Sequence, residues 1–108
     1  MITFEKLKNL FEYNQDSGEL LYRVTKGRCK AGEKANIHAM TMGPHVTLHG
    51  FRAFLDKWRD DTRPGPKLLV LDEVTLAKPS VVDALFRYSP FGATHYIVGL
   101  SNDLNYAG

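Results

Sequence analysis

The chain predicts an α+β fold, a single domain spanning residues 1–108, and three observations carry that expectation. Apolar residues recur at helical spacing near the start, at Phe4, Leu7, Leu10 and Phe11, and again at Phe51, Phe54, Leu55 and Trp58. Leu68 to Leu71 is an uninterrupted apolar run, the pattern of a strand buried on both faces. The last forty or so residues follow a strand–helix–strand rhythm. An apolar share of 44% supplies enough material for a packed core.

In chain order, Thr3 caps a helix that runs to Tyr13. Asn14 to Gly18 is a turn, because Asn and Asp bond their own backbone and Gly supplies positive φ. Leu20 to Thr25 reads as a strand. Lys26 to Gly43 is irregular, with room for a helical turn within Glu33–Met42. Pro44 introduces a second strand, His45 to His49, and the two strands form a small antiparallel element. A middle helix follows from Phe51 to about Asp61.

Asp60 to Pro66, DDTRPGP, stops that helix and is the one plausible internal linker. It divides a basic α+β part, 1–61, from a βαβ part, 67–108. In the second part Lys67–Leu71 is a strand, and Ser80 with Asp83 forms a capping box for a helix whose apolar face is Val81, Val82, Leu85, Phe86 and Tyr88. Thr94–Leu100 is a last strand, parallel to the first through a right-handed crossover. Residues 101–108 are polar and read as a fraying tail.

The net charge of +2 hides an asymmetry. Residues 1–59 hold ten Lys/Arg against six Asp/Glu, whereas residues 60–108 hold four against six. Such a split points to one face that meets an anionic partner. The single cysteine, Cys29, excludes an internal disulfide framework and fits a reducing compartment. The first residues are too charged for a secretory h-region and no apolar run reaches membrane-spanning length, so a cytoplasmic protein without a membrane partner is expected.

The cations concentrate in one place. Gly18–Lys34, GELLYRVTKGRCKAGEK, opens a strand into a glycine-punctuated loop carrying Arg23, Lys26, Arg28, Lys30 and Lys34, with Glu33 as its only acid. Cations on a loop suit phosphate oxygens, since each displaced counterion adds sequence-independent affinity. Tyr22 stands beside them as a ring able to stack on a base or sugar.

Other chemistries find partial patterns. Leu68–Glu73 has the shape of a Walker B strand delivering Asp72 and Glu73 to a metal and a water, with Asn102 placed like a sensor residue. Gly27–Gly32 has the glycines of a phosphate loop, but Glu33 stands at its lysine position and Ala35 follows Lys34 without a hydroxyl. His45 and His49 would clamp zinc only on a helix; on the expected strand they lie about 13 Å apart. Cys29 and His38 lack an identifiable third group for nucleophilic catalysis. No cofactor is expected.

From Phe4 to about Trp58 the pattern of residue types resembles the N-terminal part of small phage-type HNH homing endonucleases. The resemblance is carried by the initial helix, the turn, the strand Leu20–Val24, the basic loop Gly27-Arg28-Cys29-Lys30-Ala31-Gly32 and the stretch Val46–Arg52, comparable to a hairpin about Gly50. The family's nuclease centre needs a His general base beside a metal-binding His and an Asn, and nothing after Trp58 supplies that order. The resemblance therefore implies a DNA-binding scaffold without its cutting site, phage-encoded and working in the host cytoplasm. It would also make Phe51–Leu55 a strand, against the helical periodicity.

Together these readings lead to a small non-enzymatic DNA-binding protein whose phosphate contacts are Arg23, Lys26, Arg28, Lys30 and Lys34, with Tyr22 beside them. A phage-encoded inhibitor or adaptor that binds a host protein is the second expectation. A metal-dependent nuclease or nucleotide hydrolase centred on Asp72 and Glu73 is the third.

Overall fold

The computed structural model describes residues 2–87 and 92–101. Thr3 caps the first helix, α1 (Phe4–Leu10), its hydroxyl accepting from the Lys6 N–H at 3.2 Å. The helix stops well short of Tyr13. Phe11 instead turns extended and starts β1 (Phe11–Asn14), which pairs antiparallel with β2 (Glu19–Tyr22), Phe11 opposite Tyr22 and Asn14 opposite Glu19. The ring of Phe11 is buried at the end of this hairpin. Aromatic residues fit such a half-buried pleated surface better than a helix end.

The turn between them forms as its residues dictate. The Asn14 side-chain oxygen accepts from the N–H groups of Asp16 and Ser17, and Gly18 adopts φ +72°. The partner of β2 is therefore β1, not residues 45–49.

Two further corrections fall between 33 and 49. Residues 36–41, expected to be irregular or helical, form β3 (Asn36–Thr41). Residues 45–49, expected to be a strand, make a turn and then the first residues of α2 (Leu48–Arg59). The hydroxyl of Thr47 accepts from the Gly50 N–H at 3.0 Å, an N-cap that draws Leu48 and His49 into the helix. Gly50 thus lies inside a helix rather than at a hairpin bend. The helical periodicity from Phe51 onward holds, with Phe51, Leu55 and Trp58 fully buried.

β4 (Lys67–Asp72) is the central strand of a three-stranded parallel sheet ordered β3-β4-β5, with β5 at His95–Gly99. Ala39 pairs with Val70, and Val70 with Val98. Residues 60–66 join α2 to β4 at the end of the crossover from β3, and β3 and β4 are neighbours in one sheet. Between β4 and β5 run a 3-10 turn (Val74–Leu76) and two four-residue helices, α3 (Pro79–Val82) and α4 (Ala84–Arg87). The capping box does not form. Pro79 occupies the first helical turn, which leaves Lys78 at the cap with no side-chain acceptor, and Ser80 falls inside the helix. Tyr88, given to that helix, lies outside the described residues, and Phe86 is exposed.

Alternation along β4 divides the core into two. Leu69 and Leu71 face a cluster made by Phe51, Leu55 and Trp58 of α2 with Val81, Ala84 and Leu85. Leu68 faces the other, made by Phe11, Tyr22, Cys29, Ala35, Tyr96 and Val98, with Leu7 and Leu10 of α1 packed against it. The sheet is the middle of three layers, helices on one side and the hairpin with α1 on the other. Burying side chains such as Phe51 and Leu55 contributes about 1.5–3 kcal/mol each.

Candidate nucleic-acid interface

The basic loop leaves β2 and returns along it. The Tyr22 N–H donates to the Glu33 carbonyl at 2.8 Å, the Gly32 N–H to the Tyr22 carbonyl at 2.6 Å, and the Ala35 N–H to the Leu20 carbonyl at 2.8 Å. Within the excursion, Lys26 and Cys29 exchange backbone hydrogen bonds of 2.8 and 3.0 Å across a tight turn in which Gly27 takes φ +59°. Cys29 is buried in the hairpin-side core and pins that turn from below. Its flanking residues consequently face out, and Lys26, Arg28 and Lys30 are all exposed.

The six residues expected to share one surface divide. Tyr22 is withdrawn: it is 1% exposed, its hydroxyl bonds to that of Tyr96, and burial raises its pKa well above the usual phenol value. It cannot present a face to a base. Lys34 pairs with Glu19 at 3.2 Å on the surface, which cancels its charge locally. The Arg23 Nε–H donates to the Phe11 carbonyl at 2.9 Å, and the side chain lines a groove of ≈ 630 Å³ beside α1 together with Phe4, Lys8 and Tyr13. Lys26, Arg28 and Lys30 all stand exposed on the one turn, and among the described residues they form no ion pair.

The fold also assembles groups that sequence reasoning did not connect. Arg28 lines a cleft of ≈ 470 Å³ with Asp61, Arg63, Lys67, Thr94 and His95. Lys67 is only 5% exposed, and its ammonium donates to the carbonyls of Arg63 and of Gly65, the latter at 3.0 Å. Asp61 accepts from Arg63 at 2.5 Å and shares a 2.9 Å hydrogen bond with the His38 ring. The Arg63 guanidinium holds that carboxyl far below the ordinary carboxylate range, against a desolvation that pushes the other way. Burial lowers the pKa of His95, opposed by the nearby carbonyls of Arg59 and Gly92, and neither ring nitrogen makes a hydrogen bond of ordinary geometry. One signal in the sequence could have pointed here: a lysine heading a strand that is otherwise apolar, since a buried ammonium needs partners.

The remaining candidates are placed as follows. Asp72 ends β4 in an exposed position and its Oδ1 accepts from the Glu73 N–H at 2.9 Å. Glu73 adopts φ 52°, a left-handed conformation that a side chain with a Cβ rarely takes. Thr75 and Ser101 hydroxyls bond to each other at 3.0 Å nearby, and Asn102 lies outside the described residues. Among the described residues no group of three His, Cys, Asp or Glu side chains is arranged to hold a metal ion. His45 and His49 sit on a turn and on the first turn of α2 rather than on a strand. No helix of the described residues is long and apolar enough to cross a membrane. Comparison with protein families, with curated proteins and with solved structures yields no match.

Proposed function

We propose that this chain is a small, non-enzymatic nucleic-acid-binding protein that grips the phosphate backbone, of DNA in the first instance, through the turn Lys26–Lys30. One observation carries the reading. A turn closed by reciprocal backbone bonds and anchored by a buried Cys29 holds three cations outward that no carboxylate neutralises among the described residues. An anchored loop has already lost much of the freedom that binding would otherwise remove. The resemblance of the chain's first part to HNH homing endonucleases supports the same assignment, now resting on the helix, the hairpin turn and the basic loop. Arg23 belongs to a different side of the surface and Lys34 to an ion pair, so the contact is narrower than the sequence implies.

The expected salt dependence follows from the count of cations. Three phosphate contacts give a slope of log K against log salt of about −2.7 on duplex DNA, a loss of roughly 40-fold in affinity between about 50 and 200 mM salt. Replacing Arg28 and Lys30 together by Ala leaves one contact and a slope of about −0.9. Fluorescence anisotropy with a labelled duplex reads both. A slope unchanged in the double variant would remove the turn from the interface.

A second reading is favoured by a separate observation, the groove beside α1 with Phe4 and Tyr13 exposed at 70% and 62%. Large exposed aromatic residues mark protein contacts, and here the partner would be a protein of the host. A stoichiometric complex that survives nuclease treatment and is lost on Phe4→Ala distinguishes it from the first.

A further inference from the structure

We infer that the cleft between the Arg28–Cys29 turn, the loop at 61–67 and the start of β5 is a binding site for a phosphate monoester, seated against the buried ammonium of Lys67. The site goes beyond the backbone-gripping turn; only the assignment of a nucleic-acid strand end as the source of the phosphate rests on the reading above.

The argument begins with Lys67. A lysine carries three N–H donors and no acceptor. Two of them are spent on the Arg63 and Gly65 carbonyls, and among the described residues the third has no partner. Buried cations are normally matched by an anion within hydrogen-bond reach. Among the described residues the one acid lining the cleft is Asp61; it lies close enough to Lys67 for the ammonium to help lower its pKa, but its carboxylate bonds to Arg63 and His38 and forms no ion pair with Lys67. The cleft therefore contains a cation, 5% exposed, that lacks a counter-ion bonded to it.

Charge selects the ligand. Arg28, Arg63 and Lys67 against Asp61 leave a formal +2 among the lining side chains. That balances the dianion of a phosphate monoester, whereas the phosphodiester of a strand interior carries a single charge. Thr62 and Thr94 also line the space, and each carries a hydroxyl able to act as a neutral donor. Its ≈ 470 Å³ is more than one oxyanion fills, so the group attached to the phosphate is accommodated too. The imidazole of His95, kept uncharged by burial, gains a reason to protonate once a dianion lies beside it.

Arg28 connects this site to the turn. It lies between Lys26 and Lys30 in the chain and also lines the cleft, so a strand tracked by the turn arrives there at its end. A strand terminus is the one place on a nucleic acid where a monoester occurs.

The test is an amide chemical-shift titration of the full chain with inorganic phosphate, against sodium chloride at matched ionic strength. Saturable, phosphate-specific shifts around Arg28, Lys67 and His95 are expected. Arg28→Ala should weaken them roughly tenfold, as loss of a charge-assisted hydrogen bond does. Lys67→Met should abolish them; if removal of the ammonium prevents folding, Arg28→Ala on its exposed turn decides the matter. Shifts that follow chloride equally, or saturation unaltered by Arg28→Ala, overturn the site. A second arm compares a 5′-phosphorylated short oligothymidine with its 5′-hydroxyl form. A preference of roughly tenfold for the phosphorylated strand assigns the source to a strand end. Equal affinity rejects that source while the phosphate titration still stands, and salt-independent binding of both fails the nucleic-acid reading itself.

Discussion

Removing the hydroxyl of Tyr22 tests how the hairpin is docked on the sheet. Tyr22 and Tyr96 come from β2 and β5, which belong to different sheets, and their hydroxyls bond to each other in the interior. The rings lie 6.1 Å apart, and Phe11 completes the cluster at 5.3 Å from Tyr22 and 5.6 Å from Tyr96. Tyr22→Phe keeps these ring contacts and deletes only the hydroxyl. It leaves the Tyr96 hydroxyl, on a residue 7% exposed, without its partner. The cost is the desolvation of that orphaned group, about 1–3 kcal/mol, and Tyr96→Phe should cost about the same. The double variant has no orphan, so its cost should stay below about 1 kcal/mol. Additivity would instead give about 2–6 kcal/mol, and the gap between the two figures is the coupling. Urea unfolding followed by the fluorescence of Trp58, the single tryptophan and fully buried in the opposite core, reads the loss of the whole fold. Each 1 kcal/mol should also lower Tm by about 4–8 °C. A double variant as unstable as the sum of its parts would show that the hydroxyls are not partners, and the docking of hairpin on sheet described above would fall with them.

Gly65→Ala should destabilise by roughly 1–3 kcal/mol, because Gly65 has φ +100° and a Cβ there would collide with the Lys34 carbonyl; a neutral change in urea midpoint would contradict the close approach of the 61–67 loop to residue 34. Stability should fall on acidification in two stages. The folded pKa of His95 lies below 6.5, so the unfolded chain takes up the proton first and stability is lost as pH drops from about 6.5 toward the folded value; Asp61, held low by Arg63, adds a second loss as pH falls below about 3.8. Urea midpoints across this range, compared between the protein and His95→Asn, isolate the upper stage, and identical profiles for the two would refute it.

Local chemistry made part of this structure legible. The Thr3 cap, the Asn14–Gly18 turn, the apolar face of α2 and the strand at 67–72 follow from side chains acting on their own neighbourhood, and they lie close to where the residues place them. The errors have a common cause. Asn36–Thr41, with its Ala and Met, has no strong strand preference and becomes β3 because β4 offers a ladder to pair with. Val46 and Leu48 alternate like a strand, yet the Thr47 cap commits Leu48 to a helix.

The same division separates the two halves of the candidate site. The sequence alone determined that residues 23–34 are a glycine-punctuated cationic excursion, since the glycines and the spacing of the cations are local facts, whereas the tight turn at 26–29 is a feature of the structure. Tertiary structure decided that Tyr22 faces inward, that Arg23 lines the groove beside α1, and that Arg28 lines one cleft with Arg63, Lys67 and His95. Those residues are distant in the chain and become neighbours because parallel pairing aligns the starts of β4 and β5, Lys67 opposite His95. Periodicity reports which face of an element is apolar; only the packing of layers fixes which polar groups from different elements end in the same cleft.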